Sequence, residues 1–190
     1  MAQSQQIDKN ATSEQETQKP AKKKHNNLQL LTFLLDNEIY GTDISQIQEV
    51  LEYRKVTPVP RTPDFMLGVI NLRGQVVPVV DLRRQFEMQV SEVTVNTCIV
   101  IVDVIVEGEK TALGLLADAV KEVLELNIID ITPPPRIGSS IDTRYISGMG
   151  KNGDDFIIIL NLARVFSPDE IEGVFDALPS SEETGESATE

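Results

Sequence analysis

Between residues 28 and 166 the apolar positions fall in short runs and alternations broken by turn residues, which predicts strands rather than long helices. Residues 28–35 read as a strand, Asp36-Asn37 as its turn and residues 38–42 as the returning partner. Asp43 or Thr42 can cap a short helix through Ile44, Ile47 and Val50-Leu51, whose spacing is helical. Residues 56–59 contain Pro58 with Pro60 just beyond, so they are expected as an edge strand or extended linker. Residues 69–72 and 76–82 flank Arg73-Gly74 as a tight hairpin, with an edge or bulge expected at Pro78. Residues 99–106 and 111–116 flank Glu107-Gly108-Glu109-Lys110 as another, and residues 156–162 form a further strand. Pro168 can open a final helix with Ser167 as its cap and Ile171, Val174 and Phe175 on one side. Short strands with Gly and Pro turns predict small barrels.

The middle of the chain repeats itself. Glu49-Val50-Leu51-Glu52 matches Glu122-Val123-Leu124-Glu125, with Gly41 over Gly114 and Ile47 over Val120. At the same offset Val56 falls on Ile129 and Pro60 on Pro133. After a longer loop in the second copy Gly68 meets Gly148, and residues 75–86 meet residues 155–166, with Leu, Arg and Phe in register at the end of each copy. Each copy is short for a domain, and two that share burial overcome that limit. The fold expected is mainly β: two small barrels related by a pseudo-two-fold duplication, with an interface or groove between them. One domain over residues 28–178 would hold the interleaved lobes, with repeats at 38–86 and 111–166 and a C-terminal helix at 168–177.

Composition narrows the function. Hydrophobic residues make up 41% of the 190 and there is no Trp, so the core is aliphatic. The formal net charge of -13 excludes a nucleic-acid binder, which needs Lys and Arg in excess. Residues 1–27 are polar and basic, with Lys22-Lys23-Lys24, and are expected to be disordered. Residues 179–190 are acidic and expected to be loose. No secretory signal or membrane-spanning run is read, and one cysteine, Cys98, forms no internal disulfide, which fits a cytoplasmic protein.

Catalytic chemistry finds few groups to use. His25, the only histidine, lies in the polar head, which removes most general-base and zinc schemes. Cys98 opens an apolar strand and reads as a buried small hydrophobe. Gly148-Met149-Gly150-Lys151-Asn152-Gly153 fits the dinucleotide fingerprint in letters, but Asp154-Asp155 and a strand follow where a helix is required. Asn152-Gly153 reads as a hairpin turn instead. Pro133-Pro134-Pro135 reads as a structural linker rather than a polyproline ligand. No catalytic set, metal site or cofactor is expected. Asn71-Leu72-Arg73-Gly74 places one Arg at a hairpin tip, where Gly74 supplies positive φ. An idle exposed Arg and a protein contact both fit.

The stretch Gly68-Val69-Ile70-Asn71-Leu72-Arg73-Gly74 followed by Val77-Pro78-Val79-Val80-Asp81-Leu82-Arg83 resembles the CheW family of chemotaxis coupling proteins. So do Thr32-Phe33-Leu34-Leu35, Glu38-Ile39-Tyr40-Gly41-Thr42-Asp43-Ile44 and Ile47-Gln48-Glu49-Val50, with Pro63 and Phe65. The resemblance implies two SH3-like barrels and a non-enzymatic adaptor that links methyl-accepting chemotaxis receptor tips to the regulatory domain of a CheA-type histidine kinase. It would meet membranes only indirectly, through receptors. Carried over by position, Ile47, Glu49, Gly68 and Arg73 lie on the receptor-facing surface, with Asn71, Leu72 and Gly74 completing the hairpin. The basic head and acidic tail depart from the pattern. The rival reading is a β-barrel that binds a small ligand in another signalling system.

Overall fold

β-Branched and leucine side chains, alternating with polar ones, set the local structure. The computed structural model describes residues 27–106, 108–134, 142–166 and 168–178. β1 (Asn27–Leu35) and β2 (Glu38–Asp43) form the first hairpin. Its turn residues Asp36 and Asn37 have φ of 51° and 67°, a left-handed pair these side chains tolerate. Then come β3 (Ile47–Glu52), β4 (Met66–Leu72), β5 (Gln75–Asp81) and α1 (Leu82–Gln85). The second half repeats the order: β6 (Cys98–Val106), β7 (Glu109–Ala117), β8 (Ala119–Asn127), β9 (Ile146–Asn152), β10 (Asp155–Leu160) and α2 (Leu162–Val165), with α3 (Pro168–Asp176) appended.

One sheet runs β8-β1-β2-β10-β9 and the other β3-β6-β7-β5-β4. Advancing each strand of the first half by five converts one order into the other. The duplication is therefore strand-exchanged: β1 and β2 pair with the second half's β8 and β10, and β6 and β7 pair with β3 and β5. Even the irregularities repeat. A bulge interrupts β3 between Ile47 and Glu49 and its counterpart β8 beyond Val120, and another interrupts β4 beside Gly68 and β9 beside Gly148. Isolated bridges bring the outer strand ends together, Thr57 to Val69 in one lobe and Thr132 to Met149 in the other. These are two SH3-like barrels, and neither half of the chain can complete one alone.

Buried side chains form three groups. The largest, including Phe33, Tyr40, Val100, Leu113, Leu115, Leu162 and Val174, draws on both sheets and fills the space between the lobes. Each barrel interior holds a smaller set, around Val77, Val79, Ile99 and Ile101 in one and Leu30, Ile157 and Ile159 in the other. The interface expected between the lobes is thus the main core rather than an open groove.

Several local expectations are corrected. The helix through Ile44, Ile47 and Val50-Leu51 does not form; a three-residue 3-10 turn (Ile44–Gln46), capped by Asp43, gives way to β3. Ile47, Glu49 and Leu51 are half-buried and their neighbours exposed, a period of two, and β6 supplies the partner that an isolated turn of helix lacks. β5 is central, not an edge, because its ladder to β7 begins at Val79, one residue past Pro78. The hairpin after β6 is tighter than expected, since the strands pair as far as Val106 with Glu109. The bridges equate Thr57 with Thr132, so Val56 corresponds to Ile131 and Pro58 to Pro133, two residues beyond the offset that held upstream. Val56 and Ile131 both pack on their barrel interiors, whereas Ile129 is exposed. Asn27, read as tail, opens β1 opposite Asn127. The expected disorder of the tails, Lys22-Lys23-Lys24, His25, Glu107, Pro135 and the Ser167 cap lie outside the described residues.

Candidate functional site

The β4–β5 hairpin closes in two residues, since Leu72 pairs with Gln75. The type I′ form of such a turn needs φ above zero at both positions. Gly74 takes φ 90° freely, but Arg73 is forced to 52°. That conformation costs a residue with a Cβ about 1–2 kcal/mol. Asn71 offsets part of it, its Oδ1 accepting from the Gly74 amide at 2.9 Å. Leu72 is buried in the barrel interior and roots the hairpin. A turn built for stability alone would place Asn, Asp or Gly at position 73.

Glu49 reaches the same point from the other side of the barrel. It shares a face of β3 with Leu51, which packs on the barrel interior. The bulge after Ile47 separates that residue, which packs on the core between the lobes, from Glu49. Arg73 Nη2 donates to Glu49 Oε2 at 3.0 Å, with Arg73 79% exposed and Glu49 23%. Beside it Gln48 Nε2 donates to Asp103 Oδ1 at 2.6 Å, and Lys110 Nζ lies 3.5 Å from Asp103 Oδ2. Glu49, Asn71, Arg73 and Gly74 thus form one surface, supported from within by Ile47 and Leu72.

Gly68 does not belong to that surface. It is buried with φ 137°, and a Cβ there would meet the Thr57 carbonyl oxygen at 2.1 Å and Pro58 Cα at 2.8 Å. It lets the chain after β3 pass against β4 and close the barrel. A bulky residue at 68 would therefore disturb the fold itself.

A second polar cluster has no counterpart among the expected site residues. Arg83, buried at the start of α1, donates through Nε to Asp118 Oδ1 at 2.9 Å and through Nη2 to Oδ2. Its Nη1 donates to the Gln89 carbonyl at 2.7 Å and lies 3.5 Å from Asp36. Asp118 also accepts from the Asp36 amide at 2.9 Å. These contacts tie α1, the first hairpin and the β7–β8 junction together. Arg83's bonds to Asp118 raise its pKa further above the ordinary range. Burial pushes the Asp118 carboxyl up, but its bonds from Arg83 and Asp36 outweigh this and hold it below the usual range. The signal in the sequence was an Arg directly after an apolar run, and nothing there named a partner 35 positions on.

Cys98 is buried, and burial raises its thiol pKa, so it is the small hydrophobe expected. The glycine-rich fingerprint lies in β9 and its hairpin to β10, so a strand directly follows it where the fingerprint requires a helix. Among the described residues no group of three or more His, Cys, Asp or Glu could hold a metal, and no helix is long and apolar enough to cross a membrane.

A family model described as a CheW-like domain matches residues 29–170. The chain belongs to the CheW-like domain family. The chemotaxis protein CheW of Klebsiella aerogenes is 36% identical to this CheW-like chain over 143 residues, covering 75% of it and 84% of the relative. The CheW of Treponema pallidum is 29% identical over 144 residues, covering 76% and 85%. The scaffolding protein TtCheW from Thermoanaerobacter tengcongensis, known from a crystal structure, has a TM-score of 0.66 and 36% identity, covering 75% of this chain and 90% of that one. These matches place the chain among chemotaxis scaffold proteins. The small-ligand alternative finds no support in them.

Proposed function

We propose that this chain is a non-enzymatic adaptor that couples methyl-accepting chemotaxis receptors to a CheA-type histidine kinase, with Arg73, Glu49 and the Asn71–Gly74 turn as its receptor contact. It works in the cytoplasm and reaches the membrane only through the receptors it joins. The reading rests on the relatives named chemotaxis and scaffolding proteins and, above all, on Arg73. A long cation is held at an unfavourable backbone angle, exposed and oriented by a carboxylate, where a smaller residue would make the better turn. Arg presents five donors in a planar fork, and Glu49 leaves most of them free for a partner. A receptor tip entering as a helical hairpin would meet this rim. Signal passes because the adaptor binds kinase-on and kinase-off arrangements with different free energies, so no reaction of its own is required.

Capture of a purified receptor signalling-tip fragment tests the reading. Arg73→Ala should keep the native circular dichroism spectrum and weaken capture about tenfold or more, the loss of at least about 1.4 kcal/mol expected of an interface anchor. Unchanged capture by the folded variant would count against Arg73 as the contact. Failure of the wild-type chain to co-purify with a CheA-type kinase from its own cell would count against the adaptor role.

A further inference from the structure

A groove of about 590 Å³ lies beside the Arg73 hairpin. Gly74, Gln75, Val76 and Val77 form one wall, Lys110, Thr111 and Ala112 the other, and Gln48 and Leu178 complete it. None of the described residues that line it is a carboxylate. The two flanking cations face outward: Arg73 is 79% exposed above Glu49 and Lys110 71% exposed above Asp103, while both acids are 23% exposed. A ligand approaching from solvent meets positive charge first. The Lys110 ammonium and the Arg73 guanidinium keep unused donors.

Leu178 is the last of the described residues. Its amide donates to the Phe175 carbonyl at 3.0 Å, and α3 is anchored by buried Ile171 and Val174. Leu178 is itself part of the groove's lining, and residues 179–190 follow it directly in the sequence. They carry Glu182, Glu183, Glu186 and Glu190 and no Lys or Arg. Glu182 and Glu183 are four and five residues past Leu178, a reach of about 13–18 Å in extended chain, and Leu178 and Lys110 line the same groove.

We infer that residues 179–190 fold back across this groove and compete with the partner that Arg73 serves. The contact itself is independent of the adaptor reading; its consequence for signalling rests on that reading. The tail is tethered at the groove, so its effective concentration is on the order of millimolar and a weak contact suffices. A tail that occupies the groove about 70–90% of the time lowers apparent partner affinity about threefold to tenfold. Salt should release it, because exposed charges are screened.

Amide spectra of the isolated full chain test the contact without any partner. Compared with a chain ending at Leu178, the full chain should show shifted amides at Gly74, Val76, Lys110 and Thr111. High salt, or Glu→Gln at 182, 183, 186 and 190, should abolish the difference. The shortened chain should also bind a receptor signalling-tip fragment about threefold to tenfold more tightly. Unshifted groove amides, or equal affinity with and without the tail, would overturn the inference. Shifted amides in a chain that captures no receptor fragment in either form would support the tail contact and count against the adaptor reading.

Discussion

Arg73 Nη2 lies 3.0 Å from Glu49 Oε2, so two residues 24 positions apart, one on an edge strand and the other in the turn that leaves the opposite edge strand of the same sheet, meet at the closed rim of a barrel. The pair is exposed on the arginine side, so it stabilises the fold by at most about 1 kcal/mol. Its effect is to aim the guanidinium. Arg73→Asn should therefore leave stability unchanged or raise it by up to about 1 kcal/mol, because Asn suits the left-handed turn, while receptor capture falls. A double-mutant cycle with Glu49→Gln should show coupling well below 1 kcal/mol in urea unfolding, on the order of a surface ion pair, and a larger coupling in capture. Equal coupling in both measurements would make the pair merely structural.

Gly68 separates folding from binding. Gly68→Ala forces a Cβ onto the Thr57 carbonyl at a φ of 137°. Strain and overpacking together should cost about 2–5 kcal/mol, read as a lower urea midpoint with the slope little changed. Capture by the fraction that stays folded should match wild type. If Gly68→Ala unfolds at the wild-type midpoint, the close approach at the barrel seam is relaxed in solution.

The hairpin at Arg73 was legible from residue type, because two apolar runs flanking a residue-plus-glycine turn admit few other structures. The duplication was legible from matched polar positions, and it located the strands of the second half. β3 was misread because Ile44, Ile47 and Val50-Leu51 fit a helical stripe as well as Ile47, Glu49 and Leu51 fit a strand; the edge of β6 decided between them. Strand exchange between the halves was not legible, since alternation fixes which face of a strand is buried but not its partner. Gly68 looked like a surface residue for the same kind of reason: a glycine in a motif reads alike in a turn and under a carbonyl. Arg83 carried no hint of Asp118, because the ion pair is made by topology and not by spacing.

Tyr40 is fully buried between Phe33 and Phe86, with ring centroids 6.2 and 6.3 Å away. Its hydroxyl has no hydrogen-bond partner among the described residues. Burial first, and then the charges of Glu38 and Asp36, push its pKa up to about 12, so it stays neutral. A buried unsatisfied hydroxyl is a cost that phenylalanine avoids. Tyr40→Phe should raise stability by about 1 kcal/mol, or about 2–4 °C in melting temperature. A melting temperature lowered by the substitution would mean that the hydroxyl is satisfied in solution.

Asp118 should set the acid limit of the fold. Its carboxyl is held below the ordinary range when folded, against the pull of burial, by the Arg83 and Asp36 bonds. A depressed folded pKa gives stability that is fully present above the unfolded value, about 3.9, and is lost as pH falls through the folded value. Unfolding free energy should therefore drop from about pH 4 downward. Asp118→Asn should remove that limb of the profile and, by leaving the guanidinium of Arg83 without its partner, destabilise the neutral protein by about 3 kcal/mol, the lower end for breaking a buried pair, since Asp118 keeps 29% of its side chain exposed. Urea midpoints from pH 7 to pH 2.5 for both proteins test this. Parallel profiles would show that another carboxylate governs the acid transition, whereas a flat Asp118→Asn profile ties it to the Asp118 contacts that join α1, the first hairpin and the β7–β8 junction.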